Sequence, residues 1–345
     1  MPAGRDAPDW CMRPCCRTSP TCRVSTSTPA EILTWLTPRT RPCARGAPGQ
    51  TASLRTASII DDRYIPPHLN PEKDCLMISI KDLFVYPVKS CKGIKVSEVE
   101  LSPTGFLDDR NWMVIDEAGV FVTQREHPKL ALVEPTLTAD ELILKAPGMQ
   151  DLAVPRKTCS SQSRDVELFG EKIPAIIAGD EPSSWFSDYL GGHFSFVSRD
   201  QRFLRKGGVQ YPSRDDAPTS FVDNYGILVV SEASRADLNS RLASGVPMNR
   251  FRPNIVIEGV DAYGEDYFAR AYVGDVALRF VDVCYRCNMT TIDQDKAEFG
   301  HEPLQTLGHY RHSSIGVRFG SYAAVADGIG KRLAAGSRLE IELNF

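Results

Sequence analysis

The sequence lacks several features that would place it in a specialised class. No apolar run approaches the roughly 18 residues of a membrane-spanning helix, and no secretory signal is evident. The 40 Lys and Arg residues nearly balance the 44 Asp and Glu residues, so the formal net charge is −4. Such a chain has no general electrostatic attraction to nucleic acid or to an anionic membrane. Its 345 residues, 42% hydrophobic and 24% charged, predict a soluble globular protein with room for two domains.

Cysteine is scarce where the folding patterns are strong. Most of the ten cysteines precede residue 77, and only Cys91, Cys159, Cys284 and Cys287 follow. Four cysteines do not form a disulfide framework in a segment of this length. We therefore expect a reducing, intracellular compartment, either the cytoplasm or the mitochondrion.

Residues 1–76 differ in composition from the rest of the chain. They are rich in Pro, Ser, Thr and Arg, and no Lys occurs before Lys73. Such a segment buries too little apolar surface to offset its ordering entropy, so a disordered extension is predicted. Two interpretations stay open: an organelle transit peptide, or a stretch translated upstream of a start at Met77.

From Ile78 onward the pattern is typical of β structure. Residues 112–122 form a predicted hairpin around a turn at 116–119. Short strands at close spacing favour a barrel or a curled sheet over alternating β/α units, so the fold class is mainly β (α+β). Further apolar runs that predict strands lie at residues 78–88, 130–133, 142–144, 166–169 and 173–177.

The second half of the chain mixes helices with strands. A helix is predicted from Ser231 to Leu242 because Ser231 is a favourable N-cap residue with an acid after it. Val273-Gly274-Asp275-Val276 predicts a tight hairpin turn with Gly first. The other predictions are a helix at 184–190 begun by Ser183 or Ser184 and ended by Gly191, a surface loop at 199–223, and strands at 225–230, 255–258 and 339–343.

The segment at residues 282–293 carries the chemistry-bearing pattern. Cys284 and Cys287 flank Arg286 where a strand is expected to run into a loop, a common position for functional residues. A neighbouring cation lowers a thiol pKa toward the thiolate, which is the form that ligates metals or attacks electrophiles. Asn288, Thr290, Thr291 and Asp293 follow, a polar run typical of a pocket lining.

Several interpretations of the cysteine pair remain open from spacing alone. A thioredoxin-like dithiol requires the N-terminus of a helix, and a structural zinc site requires two further ligands, for which His309 and His312 are the downstream candidates. Two ordinary buried cysteines are a third interpretation. A thiolate with cationic neighbours also suits a metal held by an anionic organic cofactor.

Six short stretches carry a recognisable combination, in order and with sensible gaps. They are residues 86–93 (YPVKSCKG), 109–112 (DRNW), 231–234 (SEAS), 251–255 (FRPNI), 286–293 (RCNMTTID) and 302–307 (EPLQTL). Together they resemble the MOSC family, named for the C-terminal domain of molybdenum cofactor sulfurase. The likeness runs from about Ile78 to the C-terminus and is greatest to the mitochondrial amidoxime-reducing components and their bacterial relatives.

The resemblance implies an N-terminal MOSC-type β-barrel domain at residues 77–178 and a MOSC domain with a β-barrel core at 179–345. It implies a molybdenum ion on the dithiolene of one pyranopterin, with Cys287 as the metal ligand and catalytic residue and Cys284 as an accessory cysteine. Arg, Lys and a helix start all suit a phosphate-bearing ligand. The implied cofactor contacts are Lys89, Ser90, Arg110, Ser231, Arg252, Asn254 and Arg286.

The resemblance further implies a reductase of N-hydroxylated compounds such as amidoximes and hydroxylamines. After the last predicted strand no cysteine-rich extension could hold an iron–sulfur cluster, so a separate electron donor is expected, either cytochrome b5 with its reductase or a ferredoxin-type partner. Asp293 is a candidate proton relay without an assigned role. Two alternatives stay open: a non-catalytic carrier of the cofactor, and a sulfur transferase with a persulfide on Cys287.

Overall fold

Short strands make up most of the fold, and they are distributed over several sheets. The computed structural model describes residues 77–157, 162–208 and 217–344, and the extension predicted at residues 1–76 lies outside them. The strands are β1 (Ser79–Val85), β2 (Ile94–Val96), β3 (Glu98–Ser102), β4 (Gly105–Phe106), β5 (Trp112–Ile115), β6 (Glu134–Leu137), β7 (Glu141–Lys145), β8 (Leu152–Pro155), β9 (Ser163–Leu168), β10 (Glu171–Ile177), β11 (Ser195–Arg199), β12 (Arg205–Lys206), β13 (Pro218–Thr219), β14 (Ile227–Ser231), β15 (Ile255–Glu258), β16 (Phe268–Val273), β17 (Val276–Tyr285), β18 (Arg318–Asp327), β19 (Arg332–Ala334) and β20 (Glu340–Leu343).

Helices are few in the described residues, so the predicted mainly β fold is confirmed. The α-helices are α1 (Asp180–Leu190), α2 (Glu232–Arg241) and α3 (Leu304–Tyr310), and short 3₁₀ helices lie at Pro128–Leu132, Met248–Arg250, Gly264–Tyr267 and Asn288–Thr291. None of these helices is long and apolar enough to cross a membrane.

The largest sheet combines segments from both ends of the described chain. Its eight strands run in the order β2-β1-β15-β14-β18-β17-β16-β20, and only the β14–β15 pair is parallel. Leu83 of β1 lies opposite Ile255 of β15, and the Ile80 N–H donates to the carbonyl oxygen of Ser337 at 2.8 Å. The first strand therefore belongs to the same sheet as the C-terminal half.

A second sheet consists of four strands from the middle of the chain, in the order β5-β11-β10-β9. The predicted hairpin at 112–122 is confirmed, because the Val122 N–H donates to the Val114 carbonyl at 2.9 Å. Helix α1 packs its Phe186 ring on Phe196 of β11, with ring centroids 4.8 Å apart. These apolar contacts exclude water from one face of the sheet.

Several local sequence predictions are confirmed. Ser231 precedes α2, and its hydroxyl accepts from the Ser234 N–H at 3.0 Å, as expected of an N-cap. Gly274 has a φ of +55°, the conformation that the β16–β17 turn requires and glycine tolerates. The predicted helix at 184–190 lies within α1, which ends at Leu190 and is followed by Gly191 as its C-cap.

Three local predictions are wrong. Residues 130–133 belong mostly to a 3₁₀ helix rather than a strand, because Pro128 presets the dihedral angle of a helical first turn. Helix α1 begins at Asp180, before the predicted serine caps. The predicted surface loop at 199–223 contains β12 and β13, and Phe221 is buried in an apolar cluster.

The contact between Gly226 and the turn joining β3 to β4 provides a test of packing. A Cβ atom on Gly226 would lie 2.1 Å from the carbonyl oxygen of Thr104, and backbone cannot rotate away as a side chain can. We expect Gly226→Ala to lower the free energy of unfolding by about 2 kcal/mol or more, measured by chemical denaturation.

Gly308→Ala is the matched control for this substitution. Gly308 lies in α3, and its added Cβ would meet only Val317, at 4.0 Å. The free energy of unfolding should rise by about 0.5–1 kcal/mol because alanine favours a helix interior. Equal losses at the two positions would contradict the described packing at Gly226.

Candidate functional site

One cleft between the large sheet and the loops around β5 collects most of the expected site residues. Seven of the eight predicted positions line it: Lys89, Ser90, Arg110, Arg252, Asn254, Arg286 and Cys287. Other polar and aromatic groups that complete the lining include Arg125, Asp223, Asn224, Phe251, Cys284, Thr290 and Tyr322. Residues far apart in sequence therefore form one continuous surface.

Three lining residues have backbone conformations that are unfavourable for side chains other than glycine. Ser90, Arg110 and Arg252 have φ angles of 67°, 48° and 56°. Each such residue costs on the order of 1 kcal/mol or more and persists only when its surroundings hold it in place. The Arg110 N–H donates to the Tyr86 carbonyl at 2.7 Å, which holds one of these conformations. Strain of this kind clusters at functional sites.

The Tyr86 ring orients two of the arginines. The guanidinium carbons of Arg110 and Arg252 lie 4.2 and 4.4 Å from its ring centroid, within the range of cation–π attraction. The Tyr86 hydroxyl donates to the Pro253 carbonyl at 3.1 Å. Burial raises the pKa of Tyr86 to about 12 although both arginines oppose this. The phenol therefore stays neutral and holds both cations at fixed positions.

Hydrogen bonds complete the positioning of these arginines. Arg110 forms an ion pair with Asp109 and donates to Asn254 Oδ1 at 3.1 Å. Arg252 Nη1 donates to the Cys91 carbonyl at 2.6 Å. Burial lowers the pKa of Arg252 to about 10, a value at which the guanidinium remains charged near neutral pH.

Lys89 is a buried cation on another wall of the cleft. Its ammonium donates to the Phe221 carbonyl at 2.9 Å and forms an ion pair with Asp223. Burial lowers the pKa of Lys89 to about 8, and the Asp223 carboxylate limits this decrease. Burial alone would raise the pKa of Asp223, but the Lys89 charge brings it below its usual value. Both groups are therefore ionised near neutral pH.

The two cysteines occupy different environments. The pairing of β17 with β18 shifts register between Val283 and Tyr285, and such irregularities redirect side chains. Cys284 is buried, and Arg286 Nη1 donates to its sulfur at 3.0 Å. Burial nevertheless raises the pKa of the Cys284 thiol. Cys287 is half-buried and immediately precedes the 3₁₀ helix Asn288–Thr291, so it is the more accessible sulfur.

The cation beside Cys287 differs from the sequence prediction. Adjacency in sequence placed Arg286 next to this thiol, but the Arg286 guanidinium contacts Cys284 and the Phe251 carbonyl. Arg125 Nη1 instead lies 3.6 Å from Cys287 Sγ. Because β17 ends between the two cysteines, neighbours in sequence point in different directions.

The cleft has the chemistry of a site for an anionic ligand rich in hydrogen-bonding atoms. Among the described residues, five lining side chains are cationic, whereas Asp223 is the one lining carboxylate. Ser90 Oγ, Arg286 Nε and both amide atoms of Asn224 are buried and have no partner within the described residues. Charged guanidinium groups bind phosphate well, and free amide and hydroxyl groups suit heterocycle edges. These residues therefore fit a phosphate-bearing pterin cofactor.

The structure bears differently on each of the other interpretations of the cysteine pair, and Cys284 is buried in an apolar cluster as an ordinary core cysteine would be. Across the described segments, no group of three or more His, Cys, Asp or Glu side chains converges on a metal position. Cys284 lies in β17 and Cys287 precedes a 3₁₀ helix, so neither is at the start of an α-helix as in thioredoxin-like dithiols. Cys287 could supply one sulfur ligand to a metal whose other ligands come from outside the protein.

Comparison with known protein families agrees with this geometry. The family model "MOSC N-terminal beta barrel domain" matches residues 77–193, and the model "MOSC domain" matches residues 216–340. The chain belongs to the MOSC family. Both matches together confirm the resemblance and the mainly β class predicted from the sequence.

Curated relatives extend across most of the described MOSC chain. This chain is 39% identical over 242 residues to mitochondrial amidoxime reducing component 2 of Bos taurus. The aligned region covers 68% of this chain and 72% of the relative. Mitochondrial amidoxime-reducing component 1 of Homo sapiens is 38% identical over 245 residues, with the same coverage of 68% and 72%. Molybdenum cofactor sulfurase of Danio rerio is 31% identical over 274 residues, which cover 73% of this chain and 32% of the longer relative.

Two residues considered from the sequence lie outside the cleft lining of this MOSC protein. Ser231 is fully buried, and its N–H donates to Glu265 Oε1 at 3.0 Å while its hydroxyl caps α2. Asp293 forms an ion pair with Arg250 at 3.4 Å. The structure thus gives Ser231 a helix-capping role and gives Asp293 no contact with the cleft.

Sequence reasoning missed Arg125, Asp223 and Tyr86. Arg125 follows the hairpin in the polar triplet Thr123-Gln124-Arg125, which was the available signal. Asp223 fell within the predicted surface loop. Tyr86 belongs to the first matching stretch, but its hydrophobic ring gave no indication that two cations would stack on it.

Ser231→Ala separates a capping role from a role in ligand binding. Loss of the cap should lower the free energy of unfolding by about 1–2 kcal/mol, measured by chemical denaturation, while cofactor content stays that of the wild type. Ser240→Ala is the control, because the Ser240 hydroxyl donates only to the Asp237 carbonyl on the exposed side of α2. A Ser231 variant of unchanged stability that loses cofactor would support the original sequence prediction instead.

The low pKa of Lys89 predicts a pH dependence of anion binding. A bound anion favours the protonated ammonium, so sulfate affinity for the cofactor-free protein should be constant below the Lys89 pKa of about 8. Above that value it should fall by up to about tenfold per pH unit as the amine loses its proton. Sulfate keeps its charge throughout this range, and calorimetric titration measures the affinity.

Lys89→Arg is the matched variant for this titration. Arginine keeps its charge above pH 8, so its sulfate affinity should stay nearly level over the same range. A decline as steep as that of the wild type would show that another group controls binding.

Proposed function

We propose that this MOSC protein binds the molybdenum cofactor in the cleft and reduces N-hydroxylated compounds, with electrons from a separate donor. The observation that carries the proposal is one accessible thiol, Cys287, in a cleft lined by five cations. Two relatives with 38–39% identity are named amidoxime-reducing components, and a third is named molybdenum cofactor sulfurase. Amidoximes and hydroxylamines are therefore the proposed substrate class.

Each wall of the cleft has a role toward the cofactor. Cys287 would ligate the molybdenum as thiolate, and Arg125 and Arg286 bring positive charge to this end. Lys89, Arg110, Arg252 and the partner-free hydroxyl of Ser90 would hold the phosphate and the pterin edges, together with Asn254. When bound, the cofactor would supply the two-electron chemistry that breaks the N–O bond.

The protein contributes orientation and charge balance. Lys89, Arg110 and Arg252 are already desolvated in the cleft, so little reorganisation is needed when an anionic group binds. The neutral Tyr86 ring keeps two of these cations from moving apart. The half-buried position of Cys287 leaves a side from which a small substrate can approach. Asp293 lies outside the cleft lining, so solvent at this open side is the proposed proton source.

The electron donor and the compartment follow from the same proposal. Cytochrome b5 with its reductase, or a ferredoxin-type protein, would deliver electrons to the accessible side. The relatives named above as amidoxime-reducing components are also named mitochondrial, so the mitochondrion is the proposed compartment.

Cys287→Ala tests the proposed metal ligand. Wild-type protein from a cofactor-competent host should hold about one molybdenum and one pterin per chain, the single-cofactor arrangement of this proposal. The variant should lose most of its molybdenum and reduce benzamidoxime at least about a hundredfold more slowly with a chemical donor. Metal analysis, pterin fluorescence and reduction assays provide the measurements.

Cys284→Ser is the matched control, because serine keeps an acceptor for Arg286 Nη1; it should retain the metal. Wild-type protein with neither molybdenum nor pterin would refute the molybdenum site and favour sulfur transfer by Cys287. Wild-type protein with full cofactor but no reduction of any N-hydroxylated compound would favour a carrier role.

A further inference from the structure

Arg125 reaches the accessible cysteine from a distant segment of the chain. It lies between the β5 hairpin and the 3₁₀ helix Pro128–Leu132, and its Nη1 is 3.6 Å from Cys287 Sγ. Within the described residues its guanidinium forms no ion pair with a carboxylate, unlike those of Arg110, Arg156 and Arg205. Its Nη1 is therefore free of a carboxylate partner among those residues and available to donate to the Cys287 sulfur.

The backbone that carries Arg125 is fixed by buried side-chain amides. Gln124 Nε2 donates to the Ser90 carbonyl at 2.6 Å and to Gln294 Oε1 at 3.0 Å. Gln294 Nε2 donates back to Gln124 Oε1 at 2.9 Å. Both glutamines are almost fully buried, with relative exposures of 0% and 4%. This reciprocal pair ties the segment before Arg125 to the segment that follows Cys287.

A second contact stiffens the same turn. Glu126 Oε2 accepts from the Thr123 N–H at 3.1 Å, and the Thr123 hydroxyl accepts from the Arg125 N–H at 3.1 Å. The turn is therefore held on both sides of Arg125. A side chain on a rigid backbone delivers a hydrogen bond with little entropic cost, as second ligand shells of metal sites require.

We propose that Arg125 is a positioning residue that donates an N–H···S hydrogen bond to Cys287 and thereby sets the reduction potential of a metal bound to that sulfur. This inference rests on the proposed function, in which Cys287 is the metal ligand. A donor to a ligating thiolate withdraws electron density from the sulfur and favours the reduced metal. Arg286 also lines the cleft, but its Nη1 donates to the buried Cys284, so it does not take this role toward Cys287.

The test compares Arg125→Gln, Arg125→Lys and wild type as cofactor-loaded, full-length proteins. Arg202→Gln is the control, because the Arg202 side chain is 81% exposed and pairs with Asp200 on the surface. Molybdenum and pterin content are measured first, and the molybdenum midpoint potential is then measured by redox titration with electron paramagnetic resonance.

We expect Arg125→Gln to retain cofactor and to shift the one-electron equilibrium about tenfold toward the oxidised metal, which is about 59 mV lower in potential. Arg125→Lys keeps the charge without the planar fork and should show a smaller shift. Arg202→Gln should match the wild type. If Arg125→Gln loses its cofactor, the midpoint potential of the cofactor-loaded Arg125→Lys variant is compared with that of the wild type instead. A lower value in the variant supports the proposal.

A loaded variant at position 125 with the wild-type potential would overturn the proposal. Wild-type protein without molybdenum would instead refute the proposed function. In that case alkylation of Cys287 tests only the contact between Arg125 Nη1 and Cys287 Sγ. In that protein Arg125→Gln should change the rate of iodoacetamide modification of Cys287 several-fold, because it removes the donor that lies 3.6 Å from Cys287 Sγ. An unchanged alkylation rate would show that Arg125 does not act on this sulfur.

Discussion

The buried cations of the cleft must each meet oxygen atoms, because desolvated charge without partners is strongly unfavourable. Lys89 is paired with Asp223 and the Phe221 carbonyl, and Arg252 donates to the Cys91 carbonyl. These oxygen atoms belong to segments that are far apart in the chain. These contacts join the loop that follows β1 to residues 221–223 and to Arg252, and Ser90, Arg110 and Arg252 adopt left-handed backbone conformations in the same region. The remaining positive charge makes the cleft complementary to an anion.

Cys284 and Cys287 have identical side chains, but their different surroundings give them different roles. Burial raises the pKa of Cys284 even though Arg286 donates to it, so this thiol stays protonated and serves the packing between β17 and its neighbours. Cys287 lies just beyond the strand, half-exposed, with Arg125 at its sulfur. At Cys284 the effect of burial on the thiol pKa therefore outweighs that of the nearby cation, Arg286. Cys287 differs because it is accessible from the cleft.

Composition and pattern predicted the mainly β class, the cap at Ser231 and the glycine turn at Gly274, because these depend on local backbone preferences. Seven of the eight site residues implied by the resemblance line the cleft. Other features depend on tertiary contacts. A serine at a helix start can cap the helix or bind an anion, and in the structure the Ser231 hydroxyl caps α2 while its N–H donates to the buried Glu265 carboxylate. The contact between Arg125 and Cys287 depends on side-chain directions across a long chain separation, and no local pattern encodes these directions.

Pairing of the first described strand with late segments has a consequence for biogenesis. Ile80 accepts from the Gly336 N–H at 2.6 Å, and the Leu339 N–H donates to the Ile78 carbonyl at 2.8 Å. During synthesis β1 leaves the ribosome long before these partners exist, so the large sheet is completed only after residues 336–343 have emerged. Until then an unpaired strand edge is exposed and requires protection from aggregation. A cleft built on this sheet can therefore bind a ligand only after these late strands have emerged and paired.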